Sequence, residues 1–121
     1  MSANRRSTGA ADTVRGSRTG RPIMQVLDRL GKRWTLRVLW ELREGALPFR
    51  ALQERCDAVS PTVLNERLRE LREMGLVDLQ TGGGYLLTAD GHALGAVMMP
   101  LNAWAERWAR RARTRRARSD R

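Results

Sequence analysis

The spacing of apolar residues along the chain changes after Gly75, and this change limits the possible fold more than any other feature of the sequence. Before Gly75, apolar residues recur at intervals of three and four, which is typical of helices with one buried face. After it, two short apolar runs at residues 76–80 and 85–88 flank a turn with three consecutive glycines, which is typical of a β-hairpin. A long helical repeat follows. The pattern predicts a mainly α-helical chain with one small hairpin.

Four helices are predicted before the hairpin, over residues 22–30, 34–43, 49–55 and 61–74. Proline opens the first helix and Gly31 stops it. The fourth has the clearest start signal, because Ser60 can cap the free N–H groups of the first turn and Pro61 fits the first helical position. Its buried stripe is expected to consist of Leu64, Leu68 and Leu71.

The last helix is predicted from Asp90 to about Arg111, with a kink at Pro100. Two short helices around a tight connection, followed at once by a hairpin, form a winged helix-turn-helix. A plain helical bundle is the alternative, but it leaves residues 76–88 without a role. We therefore expect a winged helix-turn-helix in which the N- and C-terminal helices form a dimer interface.

The net charge of +10 lies entirely in the two ends of the chain. Residues 1–21 hold five Arg against one Asp, residues 107–121 hold eight Arg against one Asp, and the residues between them have a net charge of −1. A basic surplus of this size indicates a polyanionic partner. We expect a disordered basic arm over residues 1–21, a winged domain over 22–109, and an Arg-rich tail or fraying helix end over 110–121.

The composition also argues against several classes of protein. One cysteine and one histidine, Cys56 and His92, rule out a disulfide framework, a multi-cysteine zinc site and a His pair. No apolar run approaches the ~20 residues of a membrane span. We expect a cytoplasmic protein that is not an enzyme, holds no cofactor or metal, and does not bind membranes. Cys56 is expected to be a small buried residue rather than a reactive thiol.

The fourth helix carries the candidate DNA-binding residues, because the second helix of a helix-turn-helix enters the major groove and reads base edges. Asn can pair with adenine, Glu accepts from cytosine, and Arg reaches guanine or a phosphate. We expect contacts with double-stranded DNA from Arg50, Ser60, Thr62, Asn65, Glu66, Arg67 and Arg69. The alternative is an ordinary solvated face, since the three Arg and three Glu of this helix can pair with each other.

The two terminal helices carry more large apolar residues than a small winged domain needs for its own core. We expect a homodimer interface formed by Ile23, Val26, Leu27, Leu30, Met98, Leu101, Trp104 and Trp108. A two-fold dimer presents two reading helices and therefore binds a near-palindrome with half-sites about one DNA turn apart. Packing within the chain is the alternative for any one of these residues.

Two runs of sequence carry a resemblance to a known family, LDRLGKRWTL at residues 27–36 and VSPTVLNERLREL at residues 59–71. With shorter matches elsewhere, the chain resembles the HxlR-type winged-helix transcriptional regulators, relatives of the MarR group, over roughly residues 22–109. The resemblance implies a dimeric DNA-binding repressor or activator. It does not identify a small-molecule effector.

The chain departs from that family in three respects. Many members have a cysteine sensor just before the proline of the first helix, where this chain has Arg21. Family wings are usually longer and contain Arg, whereas the turn at residues 81–84 has no basic residue. The Arg-rich ends of the chain go beyond the usual domain and are candidates for the phosphate contacts that the wing lacks. Two functions follow from the sequence: a regulator that binds a near-palindromic operator as a homodimer, or a protein–protein adaptor whose Arg-rich ends bind nucleic acid without specificity. The resemblance favours the regulator.

Overall fold

Five helices and one two-stranded sheet follow each other in the predicted order in the computed structural model, which describes residues 20–120. The winged helix-turn-helix prediction is confirmed, while the predicted basic arm lies almost wholly outside the described residues. The elements are α1 (Pro22–Leu30), α2 (Thr35–Glu41), α3 (Phe49–Arg55), α4 (Pro61–Glu73), β1 (Val77–Leu79), β2 (Tyr85–Leu87) and α5 (Ala89–Ser119).

The helix starts and stops follow local signals in the sequence. α1 and α3 have the predicted bounds, and the Ser60 cap of α4 is confirmed, because its Oγ accepts a hydrogen bond from the Val63 N–H at 3.1 Å. α2 begins at Thr35 rather than at the predicted Trp34, since Trp34 has a φ of 77° and is left-handed. α2 also ends at Glu41, two residues before the predicted Arg43.

Helix α5 is longer than the sequence pattern predicts. It ends at Ser119 instead of near Arg111, so residues 110–119 are regular helix rather than a fraying end. Ala and Arg, which make up most of this segment, are among the best helix formers, and this accounts for the difference. Pro100 lies inside the helix without ending it. At 1.5 Å per residue, the 31 residues of α5 extend for about 46 Å.

The hairpin pairs β1 with β2 in antiparallel register, with Val77 opposite Leu87 and Leu79 opposite Tyr85. Both strands are shorter than the predicted runs by one or two residues. A single bridge joins Leu47 to Tyr85, so the segment before α3 is attached to the sheet as well.

The core lies between α2, α3, α4 and the hairpin. The predicted stripe of α4 is confirmed, because Leu64, Leu68 and Leu71 are fully buried. Cys56 is buried as predicted, and burial raises the pKa of its thiol. The whole buried cluster comprises Val38, Leu39, Leu42, Leu52, Cys56, Val59, Leu64, Leu68, Leu71, Leu76, Val77 and Leu87.

The turn between α3 and α4 has two consecutive residues, Asp57 and Ala58, in the left-handed region with φ of 57°. Arg37 braces this turn, because its Nη1 donates to Asp57 Oδ2 at 3.0 Å and its Nε donates to Glu41 Oε2 at 2.8 Å. The left-handed conformation costs a residue with a Cβ roughly 1–2 kcal/mol and costs glycine almost nothing. The turn therefore holds backbone strain that the rest of the fold offsets.

Changing Ala58 to Gly should raise the free energy of unfolding by about 1 kcal/mol, because glycine adopts this φ without strain. The matched control is Ala103→Gly at an exposed position inside α5, which should lower it by about 1 kcal/mol. Urea denaturation of both variants measures the two shifts. A loss of stability in the Ala58 variant would contradict the assignment of strain.

Candidate nucleic-acid interface

The exposed face of α4 brings most of the predicted reading residues together. Opposite the buried leucines, the side chains of Thr62, Glu66 and Arg69 are exposed, and Asn65 is exposed on one flank of the same face. Ser60 is exposed at the start of the helix, and its hydroxyl is already engaged as the cap. We call the four residues Thr62, Asn65, Glu66 and Arg69 the reading face.

Arg67 does not lie on the reading face. Its side chain is only 15% exposed, and its Nη1 donates to Glu70 Oε1 at 2.6 Å. Glu70 also accepts a hydrogen bond from Lys32 Nζ at 2.8 Å, so the three side chains connect α4 to the turn after α1. Burial alone would raise the pKa of Glu70, but the hydrogen bonds from Lys32 and Arg67 lower it below its ordinary value, and the carboxylate stays ionised. Arg67 is therefore engaged within the domain, and its contact with DNA stays a prediction.

Arg69 is the arginine that the reading face presents to solvent. It is 60% exposed, and its Nη1 lies 3.1 Å from Glu73 Oε2, one helical turn further on. An exposed pair of this kind contributes only about 0.3–0.5 kcal/mol. Releasing Arg69 from Glu73 to contact another group therefore costs little.

Two further arginines, one in α3 and one in α4, have no partner among the described residues. Arg50, the second residue of α3, is exposed and makes no hydrogen bond or ion pair there, and its contact with a phosphate stays a prediction. Arg72 is also exposed and without a partner in that part of the chain, and it lies on the same flank as Asn65, seven residues later. It is absent from the predicted contacts, although the i+7 spacing from Asn65 indicates the shared flank.

The hairpin turn offers a different surface. Residues 81–83 are exposed, and the turn has no charged side chain. Gly82, Gly83 and Gly84 have φ of 91°, 101° and 98°. The tip therefore presents backbone groups and the Thr81 side chain.

Helices α1 and α5 expose large apolar side chains that do not contact the core. Ile23 and Leu27 of α1 are 58% and 54% exposed. In α5, one face carries four exposed apolar residues at positions i, i+4, i+7 and i+11, and we call them the tryptophan stripe: Val97, Leu101, Trp104 and Trp108. The rings of the two tryptophans stack with their centroids 6.2 Å apart.

The residues predicted for a dimer interface fall into two groups. Ile23, Leu27, Leu101, Trp104 and Trp108 are exposed, while Val26 is half-buried. Leu30 and Met98 are half-buried as well, and they pack against the chain's own core. The five exposed residues of this set therefore lie outside the core of the chain, whereas Leu30 and Met98 contribute to packing within the domain.

Other kinds of site find little support in residues 20–120. No helix in this range has the length and apolar character needed to cross a membrane. The same residues contain no group of His, Cys, Asp and Glu side chains placed to hold a metal ion. His92 is exposed near the start of α5.

The sequence matches the family model described as HxlR-like helix-turn-helix over residues 29–113. It is 34% identical to the HTH-type transcriptional regulator YodB of Bacillus subtilis (strain 168) over 85 residues, which are 65% of this chain and 76% of that protein.

The fold is similar to that of several solved structures. The quinone-bound YodB of B. subtilis superimposes with a TM-score of 0.66 at 35% identity, over 72% of this chain and 98% of that one. A possible HxlR family transcriptional factor from Thermoplasma volcanium GSS1 also gives a TM-score of 0.66, at 29% identity, over 74% of this chain and 86% of that one.

Proposed function

The chain belongs to the HxlR-like helix-turn-helix family, and on that premise we propose that it is a transcriptional regulator that binds a near-palindromic operator in duplex DNA as a homodimer. The observation that carries this proposal is the reading face of α4. Three of its exposed side chains, Thr62, Asn65 and Glu66, lie on the first two turns of the second helix of a helix-turn-helix, and Arg69 lies one turn further on. The N-terminal part of this helix reaches base edges in the major groove.

The chemistry of the reading face suits recognition of bases. Asn65 can pair with adenine through its amide, Glu66 can accept from the cytosine amino group, and Arg69 can donate two hydrogen bonds to guanine. Ser60 and the N-terminus of α4 favour a phosphate oxygen, as does Arg50. These two kinds of contact have different roles, because phosphate contacts position the protein and base contacts choose the sequence.

A second copy of the chain is the partner we propose for the apolar surface of α1 and α5. The tryptophan stripe, Ile23 and Leu27 together expose a larger set of apolar side chains than isolated surface residues explain. A symmetric dimer buries the same patch on both subunits and presents two α4 helices. Two such helices bind half-sites separated by about one turn of DNA, roughly 34–36 Å.

An adaptor that binds other proteins is the competing function. Its support is the near-neutral charge of residues 22–106 and the uncharged hairpin tip. Selection of binding sequences from a random duplex pool separates the two functions, because a regulator enriches a motif and an adaptor enriches none. Neither function involves catalysis or a cofactor.

Changing Asn65 or Arg69 to Ala should weaken binding to the selected operator by about 1–3 kcal/mol and relax specificity at the base pair that each residue contacts. Glu73→Ala is the matched control, since it removes the partner of Arg69 but no proposed base contact, and it should leave operator affinity unchanged or slightly higher. Fluorescence anisotropy with operator and random duplexes measures both effects. Equal losses on the two duplexes would contradict base reading by these residues.

A further inference from the structure

The C-terminal part of α5 concentrates positive charge that nothing in the described chain neutralises. We call residues 107–118 the arginine helix. It contains seven exposed arginines, none with an ion pair among residues 20–120: Arg107, Arg110, Arg111, Arg113, Arg115, Arg116 and Arg118. In contrast, six basic residues of the winged domain lie within 4.0 Å of a carboxylate: Lys32, Arg37, Arg43, Arg55, Arg67 and Arg69.

The density of this charge is close to that of a nucleic-acid duplex. With a rise of 1.5 Å per residue, the arginine helix extends for about 16 Å, or roughly one positive charge per 2.4 Å. Duplex DNA carries one negative charge per ~1.7 Å of its axis. Arginines three and four residues apart repel each other in the free helix, so a polyanion that neutralises them also stabilises the helix.

The side chains between the arginines restrict what kind of polyanion fits. From residue 109 to residue 119 the other side chains are only Ala, Thr and Ser, so this segment has no apolar face. An amphipathic membrane-surface helix and a helix docking in a protein groove both need such a face. The guanidinium group, in turn, matches phosphate with paired hydrogen bonds.

We propose that the arginine helix is a second DNA-binding surface, which binds the phosphate backbone of the duplex regardless of base sequence. The proposal rests on the function proposed above, because that function supplies the duplex. It assigns different tasks to two helices: the reading face of α4 selects the operator, and the arginine helix adds affinity for any duplex. This surface lies beyond Leu94 and Met98, the residues of α5 that pack against the core.

The test neutralises five of the seven arginines in the full-length chain. Glutamine has nearly the helix propensity of arginine, so the charge is removed without an intended loss of helix. One variant carries Gln, and its matched control carries Lys, at positions Arg110, Arg111, Arg113, Arg115 and Arg116. Arg107 stays, because it neighbours the tryptophan stripe. Circular dichroism and light scattering confirm that helix content and oligomeric state are unchanged.

Anisotropy titrations over a range of salt concentrations give the decisive measurement. The Gln variant should bind the operator and a random duplex more weakly by the same factor, at least about tenfold at 0.1 M salt. The slope of log K against log salt should fall by about 0.9 for each phosphate that is no longer neutralised, while the Lys control keeps most of the slope. An unchanged slope in the Gln variant would overturn the proposal. So would a weakening confined to the operator, or a polyglutamate peptide that binds the unchanged chain as tightly as the duplex does.

These results separate failure of this proposal from failure of the regulator function. If the unchanged chain enriches no motif but the Gln variant loses duplex affinity, the reading function fails and the arginine helix stands. If a motif is enriched and the Gln variant binds as the unchanged chain does, the reading function stands and the arginine helix fails.

Discussion

A chain with both Trp104 and Trp108 changed to Glu should be a monomer at micromolar concentration, where the unchanged chain is expected to be a dimer. The two rings are 47% and 49% exposed and stack on each other at the C-terminal end of the tryptophan stripe of α5. Each subunit of a symmetric dimer contributes the pair, so the double change removes four aromatic anchors. A tryptophan that acts as an interface hot spot costs about 2 kcal/mol or more when it is truncated, and four new carboxylates in one symmetric interface repel each other.

Met99→Glu is the matched control for this change, because Met99 is also 48% exposed on α5 but lies on the opposite face from Trp108. It should leave the dimer intact. Light scattering gives the mass of each variant, and circular dichroism checks that the winged domain still folds. The monomer should also lose operator affinity, since one subunit engages one half-site. A dimer in the double variant, or a monomer in both variants, would refute this interface.

Changing Gly91 to Ala should lower the free energy of unfolding by about 2 kcal/mol, although the same change stabilises most helices. A Cβ on Gly91 would lie 2.2 Å from the Leu76 carbonyl oxygen and 3.1 Å from Leu87 Cβ. The backbone there cannot yield easily, because the Gly91 N–H donates to Thr88 Oγ1 at 3.0 Å and that hydroxyl donates to the Gly75 carbonyl. Insertion of atoms into such a packed site typically costs about 1–3 kcal/mol.

Gly95→Ala is the matched control in the same helix, and we expect it to change the free energy of unfolding in the opposite direction. No atom lies within 4 Å of a Cβ built on Gly95, so the change should follow helix propensity alone and raise the free energy of unfolding by about 1 kcal/mol. Thermal unfolding at one fixed protein concentration should separate the two variants by more than about 10 °C. If both variants shifted the unfolding temperature in the same direction, the close approach of Gly91 to the Leu76 carbonyl would not be what requires glycine at position 91.

The elements with strong local signals are predictable from the sequence. Ser60 and Pro61 mark the start of α4 by chemistry that needs no tertiary contact, and the leucine spacing identifies its buried face. The hairpin follows from the two short apolar runs on either side of three glycines. Most of the reading face follows as well, since Thr62, Asn65, Glu66 and Arg69 lie away from the leucine stripe.

The differences arise where neighbours in space, rather than in sequence, decide the outcome. Trp34 is held in a left-handed conformation that its residue type does not suggest. Arg67 resembles any other arginine in the sequence, but it pairs with Glu70, which also accepts a hydrogen bond from Lys32 of the turn after α1. The C-terminal end of α5 is a third place where the prediction differs from the structure. Helix length there depends on the helix propensity of Ala and Arg rather than on an apolar pattern.

The glycines of the hairpin tip restrict which substitutions this turn can accept during evolution. Each of Gly82, Gly83 and Gly84 has a φ near +90° to +100°, and any other residue at these positions brings strain. A mutation that replaces one of these glycines with arginine therefore destabilises the turn. Among residues 81–84, only Thr81 can be replaced by arginine without this strain. An evolving lineage with this turn would adjust its affinity for DNA more easily in α3, α4 and α5 than in the hairpin.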